Sequence, residues 1–193
     1  MQEQRMPRLS GQDWARAALE AIAHGGLAAV AVEPLARKLG VTKGSFYAHY
    51  SNRDELVVAA LAEWERTHGQ DGLAEFAATT EPAERLRQLV SAAARAGTGL
   101  APSVLLSLLA ERSDERVHAV LGRVNQARLD LLVRTYRELG LSPAQARHRA
   151  RIAYATVLGL LQLGQQDPGT TPRGPHLTSF IHEATAMLVP HRD

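Results

Sequence analysis

The 193-residue sequence contains no cysteine. Disulfides, thiol catalysis and cysteine-bound metals are therefore excluded, and a reducing compartment is expected. Aromatic residues make up only 5% of a chain that is 45% hydrophobic. The core must then be built from Ala, Leu and Val, which favours close-packed helices over sheets. The longest apolar stretch, 152–163, is interrupted by Thr156, Gly159 and Gln162. It falls short of the ~20 residues that cross a bilayer. The first eight residues are polar and resemble no secretory signal, so a cytoplasmic protein without a membrane partner is expected. Neither sign of charge dominates, with 22 Lys and Arg against 20 Asp and Glu. Net charge alone gives no nucleic-acid footprint. Catalytic signatures are missing too. His24, His49, His68, His118, His148, His176, His182 and His191 form no HExxH motif. There is neither a GxSxG elbow nor a GxxxxGK[ST] loop. No enzyme, metal site or cofactor is expected.

Helix signals fill the chain. Ser10 and Asp13 form a capping-box start, with Trp14, Ala18, Ala21 and Ile22 as an apolar stripe that ends at Gly25-Gly26. A second helix opens near Glu33-Pro34 and ends at Gly40, and a third runs from Thr42 to about Tyr50. Ser51 is expected to cap a fourth, with Asp54 as its box partner and Leu56, Val57, Ala60, Leu61 and Trp64 on its apolar faces. Part of 67–80 reads as a linker or a frayed helix end. Further helices are expected over 82–96, from Pro102 to Arg112, from a Ser113 cap to Gly140, from Ser142-Pro143 to about Gln166, and over 176–189. The proline-rich stretch 167–175 is a loop. The fold class is all-α, with about nine helices.

The informative segment is LARKLGVTKGSFYAHYSNRDEL, Leu35 to Leu56. Gly40 lets the chain turn sharply after Ala36, because positive φ costs glycine no Cβ clash. Val41 packs the turn and Thr42 is a suitable N-cap for the next helix. Phe46 and Tyr50, four apart, face the core, while Thr42, Ser45 and His49 lie on another face beside Lys43 and Tyr47. Gly44 leaves the start of that helix bare, so a phosphate can approach its N–H groups. This is a helix-turn-helix with its second helix presented to a major groove.

That segment resembles the head of the TetR family of regulators over about residues 10–66. Leu35, Ala36, Gly40, Val41, Thr42, Gly44, Ser45, Tyr47, His49, Tyr50, Arg53 and Leu56 match or conservatively replace its pattern. Ala31 stands where the family often has a Ser or Thr cap, and Arg53 where it usually has lysine. The resemblance implies phosphate contacts from Thr42, Lys43, Tyr47 and Arg53. It also implies that Ser45, Ala48 and His49 lie against base edges or nearby backbone, with Gly44 letting the DNA approach the helix start. Arg5 and Arg8 would reach the DNA from the arm. It implies a three-helix DNA-binding head over 1–52 and a ligand-binding and dimerisation body over 53–193, with 53–66 connecting them. The partners would be double-stranded DNA, a small-molecule effector and a second copy of the chain, paired through the last two helices. Ala146, Ala150, Ala153 and Gly159 would permit close approach there. Candidate pocket residues are Trp64, His68, Leu105, Leu109, Asn125, Arg128 and Tyr154, together with His118 and Tyr136. Effector binding would move the connecting helix and so respace the two heads. The resemblance favours a repressor; the alternative is a helical small-molecule- or partner-binding module without specific DNA binding.

Overall fold

The computed structural model describes residues 9–97, 104–170 and 172–190. Its regular structure there is entirely helical, as expected from the aromatic-poor composition. The α-helices are α1 (Gly11–Gly25), α2 (Val32–Lys38), α3 (Lys43–Tyr47), α4 (Arg53–His68), α5 (Gln70–Ala78), α6 (Pro82–Gly97), α7 (Val104–Ala110), α8 (Glu115–Glu138), α9 (Pro143–Gln166) and α10 (Pro175–Leu188). Short 3-10 turns occur at Leu27–Ala29 and Pro168–Thr170. None of the described helices is long and apolar enough to cross a membrane.

Local chemistry sets most of the boundaries. The Ser10–Asp13 capping box forms, and so does one between Ser142 and Gln145 ahead of Pro143. Gly26 and Gly40 end their helices at φ +64 and +69, which L side chains rarely adopt. Two expected caps move by one residue. Asn52, not Ser51, accepts from the Glu55 amide and opens α4, while the Ser51 amide donates to the Glu55 carboxylate. Asp114, not Ser113, opens α8 by accepting from the amides of Arg116 and Val117. In both cases the residue one further on, an Asn or Asp that caps as well as serine, takes the cap instead. The segment expected as linker is largely helical: Gly69 breaks it from α4, and Leu73 and Phe76 give α5 an apolar side at i, i+3 spacing. The proposed start at Pro102 lies outside the described residues.

Two apolar clusters hold the chain together. The first runs from Trp14, Ile22, Leu35 and Phe46 through Leu56, Val57, Leu61 and Trp64 to Leu108, Val117 and Val124. It crosses residue 52 without interruption. The second joins Leu86 of α6, Tyr136 of α8, Ala146, Ala150 and Ala153 of α9, and Leu188 of α10. Tyr136 is fully buried and its hydroxyl donates to the Leu188 carbonyl at 3.0 Å. Burial holds its phenol up at about 12. Buried Arg85 ties α6 to its neighbours, donating to the Thr79 carbonyl, the Thr135 hydroxyl and Glu138.

Asp114 ties the start of α8 to that of α4. It pairs with Arg116 at 2.7 Å, and Arg116 also reaches Asp54 at 3.1 Å. The hydrogen bond from Arg116 and the cap amides hold the Asp114 carboxyl down at about 2, against an ordinary 3.8. A lowered folded-state pKa means that the contribution is full above about pH 4 and is lost as pH falls toward 2. Asp114→Ala should therefore lose roughly 1 kcal/mol of stability at neutral pH. Urea unfolding at several pH values should show that difference shrinking between pH 4 and 2; a gap independent of pH would contradict it.

Candidate nucleic-acid interface and cavity

The head is built around Phe46. Its side chain is fully buried, edge-on to Trp14 with ring centroids 5.4 Å apart. Tyr50 packs beside it at 5.8 Å and donates its hydroxyl to the Gly11 carbonyl at 2.7 Å. These contacts pin one side of α3 to α1 and force its other side outward. The turn before α3 closes as the glycine requires: the Val41 amide donates to the Ala36 carbonyl at 3.0 Å, bracketing Gly40. Ala31 stands at the N-cap of α2 without a side-chain bond.

The residues expected to face DNA lie on or beside α3. Thr42, Lys43, Gly44, Tyr47, Ala48 and His49 are exposed, and Ser45 is half-buried. Tyr47 is 57% exposed although its ring stacks edge-on to Phe46. Thr42 has the extended N-cap backbone, but its hydroxyl makes no capping bond, so the expected cap is backbone only. That hydroxyl and the α3 amides remain on the surface. A Cβ on Gly44 would meet nothing closer than the Thr42 hydroxyl at 3.6 Å, an ordinary contact. The protein's own packing therefore does not require glycine there. Lys43 pairs with Glu33 at 3.0 Å. The hydrogen bond to Glu33, reinforced by its charge, raises the lysine and lowers the glutamate. Any phosphate would compete with that exposed carboxylate.

Arg53 does something the sequence did not reveal. Its Nε donates to the Val30 carbonyl at 2.7 Å, and a terminal nitrogen donates to the Leu27 carbonyl. One guanidinium thus clasps the turn between α1 and α2 from the first residue of α4. The planar fork of arginine holds two carbonyls in fixed directions, which fits arginine where the family pattern has lysine. Arg37 and Lys38 lie on the exposed side of α2, and Lys38 pairs with Glu20. Arg5 and Arg8 lie outside the described residues.

A cavity of about 230 Å3 opens among α5 to α10. Of the candidate liners, Leu105, Arg128 and Tyr154 reach it. Asn125 stands one bond behind, accepting from the Tyr154 hydroxyl at 2.5 Å. Trp64 is buried in the first cluster and stacks on His68 at 5.3 Å. Neither lines the cavity, nor do Leu109, His118 and Tyr136. The sequence missed Leu73 and Phe76 because their segment was taken as linker; their i, i+3 spacing was the available signal. Among the described residues no group of three His, Asp or Glu side chains could hold a metal.

Residues 15–60 match the family model described as bacterial regulatory proteins, tetR family. No curated protein matches the chain by sequence. Solved structures share its fold. A transcriptional regulator, FadR from Bacillus subtilis in complex with stearoyl-CoA, superposes with a TM-score of 0.67 at 17% identity, over 93% of this chain and 98% of that one. A TetR family transcriptional regulator from Agrobacterium tumefaciens gives 0.70 at 20% identity, over 90% and 96%. AibR in complex with isovaleryl coenzyme A and operator DNA gives 0.65 at 18% identity, over 93% and 98%.

Arg53→Lys keeps the charge and removes the fork. If the clasp is structural, urea denaturation should show a loss of about 1 kcal/mol, since the two-carbonyl grip is weakened. Unchanged stability would return Arg53 to a purely external role.

Proposed function

The head of this chain belongs to the TetR family of bacterial regulatory proteins, and from that premise we propose that the chain is a ligand-responsive transcriptional repressor that binds a palindromic operator as a dimer. The observation that carries the reading is α3. One side is locked into the core by Phe46, and the other offers Lys43, a bare glycine, Tyr47 and His49 to solvent. In this reading Thr42, Lys43 and Tyr47 hold phosphates, which position the head, while Ser45, Ala48 and His49 face base edges, which specify. Arg53 holds the turn behind them. AibR's complex with both an acyl-CoA and operator DNA supports a coupled ligand and DNA function for this fold.

Dimerisation would use α9 and α10. Ala146, Ala150 and Ala153, expected at the twofold axis, are instead buried inside the chain against α6 and α8. The open face of α9 is a different one: Ile152, Thr156, Gly159 and Leu163, at helical spacing and exposed. Ile152 and Leu163 are 57% and 51% exposed, and Met187 on α10 is 76% exposed. A Cβ on Gly159 would meet nothing within 4 Å. Such a row on a long helix suits an isologous contact with its own copy.

The cavity has no lining residue from α4, so an effector would not push that helix directly. α7 offers the relay. Leu105 lines the cavity, the Ser107 hydroxyl donates to the Ala23 carbonyl at 3.1 Å, and Glu111 accepts from the Leu27 amide at 3.2 Å. Leu27 is also a partner of the Arg53 clasp. Movement of α7 would thus reach the turn that seats the head.

The test is binding of the full chain to the DNA upstream of its own and neighbouring genes across a salt series. Specific binding should weaken with salt at a slope near −0.9 per phosphate contacted. Gly44→Ala should keep or slightly raise stability, by up to about 1 kcal/mol, yet weaken DNA binding by about tenfold or more. No binding to a randomised pool at low salt would leave the helical binding module as the better reading. For the dimer, Ile152→Glu should give a monomer by sedimentation and weaken operator binding; an unchanged dimer would place the interface elsewhere.

A further inference from the structure

We propose that the cavity takes a small apolar carboxylic acid, with Arg128 seating the carboxylate and the surrounding aliphatic wall taking the tail. This rests on the cavity being the effector site. The wall is almost wholly hydrocarbon, with Leu86, Val90, Leu131, Leu132, Val157 and Leu161 among its residues. Arg128 is the one charged residue among the described residues that line it, and Tyr154 the one other polar side chain.

Three other arginines of the body are matched: Arg85 pairs with Glu138, Arg116 with Asp114, and Arg123 with Glu65. Arg128 has no acidic partner among the described residues. It donates to the Tyr154 hydroxyl at 3.3 Å, and its guanidinium carbon lies 5.9 Å from the centre of the Tyr154 ring. The Tyr154 hydroxyl in turn donates to Asn125 at 2.5 Å. Asn125 and Tyr154 therefore orient the guanidinium without neutralising it. A guanidinium has five N–H donors. One is used, and the planar fork fits a carboxylate. A half-buried charge against apolar wall is costly unless an anion completes it.

The charge of that anion follows from the surroundings. His68 lies close enough to feel the charge of Arg128: burial first, and then that charge, lower its pKa and oppose its protonation. Arg128 is the one charged side chain of the described wall. A monoanion balances it, whereas a dianionic phosphate ester would leave excess charge in a low-dielectric wall. The cavity of about 230 Å3, walled almost wholly by hydrocarbon, suits an aliphatic tail.

The test compares three chains of one length, octanoate, octan-1-ol and octylamine. Calorimetry and tryptophan fluorescence would follow their binding to the full-length protein and to Arg128→Gln. Octanoate should bind the wild type about 10- to 100-fold more tightly than octan-1-ol. Arg128→Gln should lose that preference while retaining octan-1-ol binding, which also shows that the variant is folded. Equal affinities for acid and alcohol would overturn the proposal. So would preference for the amine, no binding of any of the three, or an acid preference that survives in Arg128→Gln. DNA binding measured on the same samples separates the two readings. Intact DNA binding without an acid preference rejects the ligand class alone. An Arg128-dependent acid preference without DNA binding rejects the regulator and keeps the ligand class.

Discussion

The head has no core of its own apart from the body's. Trp14 and Phe46 are buried in the same apolar cluster as Trp64, Leu108 and Val117, which belong to α4, α7 and α8. Three helices as short as α1 to α3 cannot bury enough surface alone, and α4 and α7 supply what is missing. Everything the head presents outward depends on this. Tyr47 faces solvent because Phe46 beside it is fixed inward, and Phe46 is fixed because Trp14 is packed from behind by the body. The same continuity gives the body leverage over the head.

Three polar links refine what the core imposes. Arg53 grips the carbonyls of Leu27 and Val30 from α4. Glu111 and Ser107 hold the end of α1 and the following turn from α7. Arg116 binds Asp54 across the starts of α8 and α4. Each is a charged or hydroxyl group reaching a backbone or side-chain partner far along the chain. Together they converge on the end of α1, the turn before α2 and the first turn of α4, the points where the head could tilt. An element that enters both the cavity wall and these links can pass a change from one to the other, and α7 does so through Leu105 and Glu111.

How much of this could be read in the sequence depended on the range of the interaction. The head was legible because its signals are local: Gly40 for the turn, Phe46 and Tyr50 four apart for the buried side, a Ser10–Asp13 box at the entrance. The apolar faces of α4 and α8 were legible by period. Misplaced caps at Ser51 and Ser113 arose where two adjacent residues could both cap, and local chemistry does not choose between them. Long-range partners were not legible. Arg53 reads as a basic residue near DNA until its bonds to Val30 and Leu27 are seen, 23 and 26 residues away in the chain. The alanines of α9 read as a dimer seam because small residues suit close approach of any helix, including one from the same chain. Of the pocket candidates, Leu105, Arg128 and Tyr154 survive; the last two meet across 26 residues on helices that happen to pair, which no periodicity announces.

The central claim is that head and body form one cooperative unit around a shared core. Native-state hydrogen exchange on the full-length protein tests it most directly. The account predicts that the slowest amides of α1 and α4 open with the same free energy as those of α8, in a single global step with matching denaturant dependence. Amides of α1 opening at a much lower free energy, while α8 stays protected, would show the head unfolding independently and would contradict the claim.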